Sequence, residues 1–212
     1  MATQLLWNSV STVQTPAAAR ETRCLASCPS TPTLSSDNRP THVEARPTIV
    51  YRVDTRAPVE IFASGFSAGT GMSLIDHVLA PNPPETASAL VATTEDPRVA
   101  SLIAMVYRRH RFPVWIYEIR ADGGFYGVCP SLRWIIDNVT DHSERAATAL
   151  ATWGFQREWV AITHIPSDNI RRAYRVNTDL DPTDFRHQIS ASDTNSLYVD
   201  AATQASNQIL TS

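Results

Sequence analysis

Lysine is absent from this 212-residue chain, in which all 18 basic side chains are arginine. Two histories produce that pattern. A GC-rich genome exchanges lysine codons for arginine codons, although it should also raise glycine, of which there are only 7. Alternatively, the protein passes through a compartment where ubiquitin attachment to lysine would destroy it. Cysteine is scarce too. Cys24, Cys28 and Cys129 are too few for a disulfide scaffold. The close pair Cys24 and Cys28 is followed by no histidine-rich segment, so no metal site is expected. No apolar run is long enough to cross a membrane. Residues 1–19 lack a positive amino-terminal region and offer only Leu5-Leu6-Trp7 as an apolar run, which argues against a standard signal peptide. The net charge of -3 gives no long-range attraction to a phosphate backbone and argues against a nucleic-acid partner.

What is present fits one domain of ordinary size. Residues 1–46 are rich in Ser, Thr, Pro and Ala without periodicity and read as a flexible leader or export segment. A folded domain is expected over 47–190, with a polar tail over 191–212. Its first strand, 48–54, alternates Ile49, Tyr51 and Val53 against Val50, Arg52 and Asp54, and the first set is expected to face the core. Pro58 opens a short helix that Gly65 stops. Leu74, Ile75, Val78 and Leu79 predict another, which leaves Asp76 and His77 toward its margin. Asp96-Pro97 starts a longer one by a capping side chain and a proline in the first turn. A strand over 114–120, a turn at Asp122-Gly123-Gly124, helices over 130–139 and 143–153, and strands over 158–163 and 170–176 complete an α+β pattern.

The chemistry concentrates in Gln156-Arg157-Glu158 and in the first strand. Alternate side chains of a strand share a face, so Gln156 and Glu158 are expected together at the head of one strand, and Arg52 with Asp54 on another. A carboxylate stabilises a developing sugar cation, and an arginine grips phosphate. Glycosyl transfer from a dinucleotide needs both.

Further segments join these in a specific order: Val50-Tyr51-Arg52-Val53-Asp54-Thr55-Arg56, Glu60-Ile61-Phe62-Ala63-Ser64-Gly65-Phe66, Asp76-His77, Val91-Ala92-Thr93-Thr94, Tyr117-Glu118-Ile119-Arg120-Ala121-Asp122, Phe125-Tyr126 and Asn169-Ile170-Arg171. In this order the chain resembles the pertussis-toxin-like mono-ADP-ribosyltransferases, the catalytic A chains of bacterial AB toxins, over residues 48–176. The resemblance implies two small, roughly perpendicular sheets with NAD held as substrate in the cleft between them, and no metal. It implies that Arg52 binds an NAD phosphate, with Asp54 beside it and Arg56 supporting the cleft. Thr93 and Thr94 stand in a Ser-Thr-Ser strand whose hydroxyl orients the catalytic glutamate, and Ala92 replaces its first serine. His77 matches a pocket histidine, and Glu158 the catalytic glutamate.

Gln156 would meet the acceptor. Arginine-modifying relatives carry a second glutamate there, so the resemblance implies a Cys or Asn of a host protein, such as a G-protein α subunit, with slow NAD hydrolysis when no acceptor is present. It further implies secretion or injection by a bacterium, action in the host cytosol, and a receptor-binding B subunit or an injection machine. Two other readings share these residues: a guanine-directed transferase, which also places Gln before the catalytic Glu, and a degenerate relative that binds a partner through the old cleft. Gly69-Thr70-Gly71 stands where relatives carry a tryptophan that stacks on NAD. The usual A-chain cysteine before the Ser-Thr-Ser strand is missing, which leaves Cys129 to pair with Cys24 or Cys28.

Overall fold

Strand β1 (Ile49–Asp54) is the middle strand of seven, in the order β5-β6-β3-β1-β4-β8-β9, within a computed structural model that describes residues 46–80, 88–108, 113–176 and 189–200. The leader over 1–46 lies almost wholly outside the described residues. The remaining strands of the sheet are β3 (Leu90–Thr94), β4 (Trp115–Arg120), β5 (Phe125–Gly127), β6 (Glu158–Ile162), β8 (Ile170–Val176) and β9 (Ile189–Thr194). β2 (Phe66–Ser67) and β7 (His164–Ile165) form a separate two-stranded ribbon. All pairings are antiparallel.

Among the described residues five α-helices cover the sheets: α1 (Pro58–Ser64), α2 (Leu74–Leu79), α3 (Pro97–Arg108), α4 (Val128–Asn138) and α5 (Ser143–Trp153). The α+β class expected from the pattern is the class observed. β1 is not one-sided, however. Val53 packs with Val99, Ile103 and Tyr107 of α3, while Val50 packs on the opposite face with Ile61, Phe66 and Tyr117. Both valines are fully buried because helices or the small ribbon cover each face of the central strand.

One register detail shapes the molecule. β1 and β4 are paired along their whole length, from Ile49↔Arg120 to Asp54↔Trp115, whereas β1 and β3 share the single pair Tyr51↔Thr94. The seven strands are therefore two half-sheets, β5-β6-β3 and β1-β4-β8-β9, held together at one point and open on either side of it. Arg52 spans the opening, its Nη1 donating to the Ala92 carbonyl at 2.8 Å.

Local chemistry explains the element ends. Asp96 Oδ1 accepts from Arg98 N at 2.8 Å, capping α3. Ser73 Oγ accepts from Asp76 N at 3.2 Å, capping the start of α2, and donates to Asp76 Oδ2 at 2.7 Å. Arg145 of α5 donates to the same carboxylate at 2.7 Å. These bonds hold the Asp76 carboxyl below its ordinary pKa and tie the start of α2 to α5. Gly65 ends α1 at φ 71°, and a Cβ there would lie 2.2 Å from the Ile165 carbonyl, so the β2–β7 ribbon closes only over glycine.

Composition assigns residues 191–194 to the polar tail, but they form the last four residues of β9, paired with β8 through Arg172↔Thr194 and Arg175↔Ala191. An edge strand with exposed Ala, Ser and Asp carries no apolar alternation for a sequence to display. The Asn169-Ile170-Arg171 motif is likewise structural. Asn169 is fully buried between Arg120, which donates to its Oδ1, and Asp122, which accepts from its Nδ2 at 2.7 Å. Arg171 Nη1 donates to Glu118 at 2.7 Å. Tyr174 donates to the same carboxylate, and burial together with that bond pushes the phenol up to about 12.

Candidate active site

The β3–β6 register puts Thr94 opposite Glu158 and Thr93 opposite Trp159, at the end of β3 that meets β1. Glu158 is the first residue of β6 and 7% exposed. Its Oε1 lies 3.2 Å from His77 Nε2, and His77 Nδ1 lies 2.7 Å from Ser88 Oγ. His77 is buried, not marginal. It shares a helix face with Leu74, three residues earlier, and in so short a helix that face turns inward against β6. Among the described residues His77 is the hydrogen-bond partner of the Glu158 carboxylate, through Oε1 and not Oε2.

Gln156 does not share a strand face with Glu158. It ends a 3-10 turn (Gly154–Gln156), and Arg157 follows in the left-handed region at φ 49°, ψ 47°. Strand geometry begins only at Glu158, so the alternation that would pair the two side chains is broken by one residue. Gln156 is buried at 3% exposure, and its carbonyl accepts from Thr94 Oγ1 at 2.6 Å. Thr93 Oγ1 donates to the Trp159 carbonyl at 2.7 Å. Both threonines are fully buried, and their hydroxyls brace the backbone on either side of Glu158 rather than its carboxylate. The hydroxyl expected to orient the glutamate is thus replaced here by an imidazole.

A second group of residues forms a cationic wall. Asp54 is fully buried and accepts from Arg56 N at 2.9 Å, Arg56 Nε at 3.0 Å and Arg56 Nη2 at 2.7 Å. Arg52 Nε stands 3.6 Å from the same carboxylate. Burial opposes ionisation of Asp54, but the hydrogen bonds from Arg56 and the charges of both arginines outweigh it and hold the carboxyl below its usual pKa. Both guanidiniums lie over the Phe66 ring, at 5.0 and 5.5 Å from its centroid. Phe66 is fixed in turn by the edge of Tyr117, whose hydroxyl donates to the Arg56 carbonyl at 2.6 Å. Two cations on one anion leave the wall net positive, and the arginines line a concavity with Ser67, Ala68, Leu90, Val91 and Ala92. Glu158 and His77 are not in that lining. The site therefore has two parts, an arginine wall on the β1 half and a carboxylate–imidazole pair formed by β6 of the other half and by α2.

The described residues also show what local patterns missed. Ser88, Glu95 and Trp159 belong to the site through contacts made across loops, and none carries a motif. Trp159 Nε1 donates to Glu95 Oε2 at 3.0 Å, and Arg157 is ion-paired with the other carboxylate oxygen. Gly69, standing at the place of the expected tryptophan, donates its N–H to the Ser88 carbonyl at 2.7 Å, so this segment is stitched to the site by backbone alone. Cys129 is disulfide-bonded, and its partner lies outside the described residues, as do Cys24 and Cys28. Among the described residues no group of three or more His, Cys, Asp or Glu could hold a metal ion, and no helix is long and apolar enough to cross a membrane.

Comparison with known proteins follows the same residues. The sequence profile of the family described as pertussis toxin, subunit 1, matches residues 45–209. Pertussis toxin subunit 1 of Bordetella pertussis is 34% identical over 157 residues, which cover 65% of this chain and 56% of that protein. The ADP-ribosylating toxin CARDS of Mycoplasma pneumoniae is 31% identical over 146 residues, 60% of this chain and 24% of that protein. Among solved structures, EcPltA superposes with a TM-score of 0.55 at 28% identity, over 73% of this chain and 89% of that one. The chain spans 56% of the length of pertussis toxin subunit 1, the first of these relatives.

Proposed function

The chain belongs to the pertussis toxin subunit 1 family, and from that premise we propose that it is a mono-ADP-ribosyltransferase that takes NAD as substrate. The observation that carries this reading is the carboxylate of Glu158, held by His77 at 3.2 Å with one oxygen left over, in a chain whose β1 carries a wall of two arginines bonded to Ala92 and Asp54. Cleavage of the bond between nicotinamide and ribose releases neutral nicotinamide and leaves positive charge on the ribose. Oε2 of Glu158, bonded to the ribose 2′-hydroxyl, stabilises that charge as it develops and has little to stabilise before. Arg52 and Arg56, pre-positioned by Asp54 and Phe66, suit the pyrophosphate, since a guanidinium offers parallel donors to phosphate oxygens.

The acceptor then attacks the ribose carbon and loses its proton. Gln156 bears on which acceptor this is. An amide takes up no proton at neutral pH and cannot activate a guanidinium, which favours a Cys or Asn of a host protein, such as a G-protein α subunit, over Arg. Water serves slowly in its place, giving NAD glycohydrolase activity. The same reading assigns the chain to a bacterium that secretes or injects it, with action in the host cytosol and a receptor-binding subunit as partner.

Incubation with NAD labelled in the adenylate half, with a eukaryotic lysate in one arm and double-stranded DNA in another, tests the proposal. Label on a lysate protein together with free nicotinamide is the expected result. Label on DNA would instead establish the guanine-directed reading. Failure to bind NAD or to release nicotinamide in either arm would leave only a non-catalytic binding role.

A further inference from the structure

We infer that Ser88 is a positioning residue for bond cleavage: its hydroxyl decides which nitrogen of His77 carries the proton, so that His77 presents an N–H to Glu158 and holds that carboxylate in place. The inference rests on the NAD-cleaving role of Glu158. The geometry is a chain of three bonds. Leu90 N–H donates to Ser88 Oγ at 3.1 Å, Ser88 Oγ lies 2.7 Å from His77 Nδ1, and His77 Nε2 lies 3.2 Å from Glu158 Oε1.

A hydroxyl has one proton and two lone pairs. Leu90 already uses a lone pair of Ser88, and the proton is free to point at Nδ1. A ring that accepts at Nδ1 is, in its neutral form, protonated at Nε2, the nitrogen that faces the carboxylate. The opposite tautomer sets a nitrogen lone pair against carboxylate oxygen, because an ionised carboxylate accepts and cannot donate. The network thus assigns the tautomer.

Ser88 is built to hold this position. It is fully buried, and its carbonyl accepts from Gly69 N at 2.7 Å. The next residue is tied on both sides, since Ala89 N donates to the Gly71 carbonyl at 3.0 Å and Thr163 N donates to the Ala89 carbonyl at 2.7 Å. Nothing on β3 duplicates its role. Thr93 and Thr94 spend their hydroxyl protons on the carbonyls of Trp159 and Gln156, and Ala92 has no hydroxyl. The orientation of the carboxylate therefore runs through His77, and that of His77 through Ser88.

The test has two arms. Nitrogen-15 NMR of the histidine-labelled full chain, recorded where the His77 ring is neutral, is expected to show the Nε2–H tautomer in the wild type and a mixture of tautomers in S88A. A wild-type His77 protonated at Nδ1 overturns the inference. In the second arm, steady-state NAD cleavage by S88A is expected to lose kcat by between about 10-fold and the roughly 10⁴-fold that a wrong tautomer costs a hydrolase triad. KM for NAD stays within about twofold, because no substrate contact is removed. S88T, which returns a hydroxyl, is expected to recover most of the loss. A kcat for S88A within about twofold of the wild type, or a loss that S88T does not repair, overturns the inference. A wild type that cleaves no NAD refutes the enzymatic reading instead, and the NMR arm then still decides whether Ser88 sets the His77 tautomer.

Discussion

Glu95 holds Arg157 twice: its backbone N–H donates to the Arg157 carbonyl at 3.3 Å, and its carboxylate pairs with the Arg157 guanidinium. This double contact fixes the left-handed residue that separates the Gln156 turn from the Glu158 strand. The same carboxylate accepts from Trp159 Nε1 at 3.0 Å, so one side chain clamps both neighbours of Glu158.

The two bonds differ in value. Arg157 is 43% exposed, which limits the ion pair to less than about 1 kcal/mol. Trp159 is buried, and stranding its indole N–H costs about 1–3 kcal/mol. Glu95→Gln, which keeps an acceptor, should therefore lose less than about 1 kcal/mol, and Glu95→Ala about 2 kcal/mol. Urea unfolding of the two variants measures the difference, and equal losses would show that the ion pair dominates.

Asp54 gives the molecule a pH dependence with a definite sign. Its folded-state pKa is depressed, so its contribution is complete above the ordinary aspartate value of about 3.9 and is lost as pH falls through the folded value. Asp54→Asn should cost about 3 kcal/mol at pH 7 by leaving two cations on a neutral partner. The gap between variant and wild type should narrow below about pH 4, and denaturation at pH 7 and pH 3 tests both statements.

Glu158→Gln retains a carbonyl oxygen that accepts from His77 Nε2 but removes the charge. NAD cleavage should fall by roughly 10²–10³, with the unfolding midpoint close to that of the wild type. Nicotinamide release against time provides the rate. A residual rate above about a tenth of the wild type would mean that the charge of Glu158 does not stabilise the ribose cation.

Gly65→Ala should be among the most damaging small substitutions. The position has φ 71° and ψ -161°, which is costly for any residue with a Cβ, and the added atom would meet the Ile165 carbonyl at 2.2 Å. A loss of about 3 kcal/mol is expected. The β2–β7 ribbon must separate to relieve the contact, so faster amide exchange at Phe66 and Ile165 is the local signature.

Several parts of this molecule are written in short stretches of chain. Asp96-Pro97 announces α3, Gly65 ends α1, and the alternation over 49–54 announces β1, because capping, glycine backbone freedom and strand period are local effects. Strands β2, β7 and β9 were not legible, since two-residue ribbons and polar edge strands owe their existence to a partner rather than to a pattern. His77 looked marginal because apolar spacing ranks residues by hydrophobicity, and a buried polar residue is visible only with its partners.

The residue types of the site, Arg52, Asp54, His77, Thr93, Thr94, Gln156 and Glu158, and their order were determined by the sequence alone, and so was the family they resemble. What each side chain does was decided by tertiary contacts. Glu158 is separated from Gln156 by one left-handed residue, is bonded to an imidazole instead of a threonine hydroxyl, and is linked through that imidazole to a serine with no motif. The physical reason is that hydrogen-bond roles are fixed within about 3 Å, by register and loop closure between segments distant in the chain. A pattern along the chain measures spacing in residues and carries no such distances.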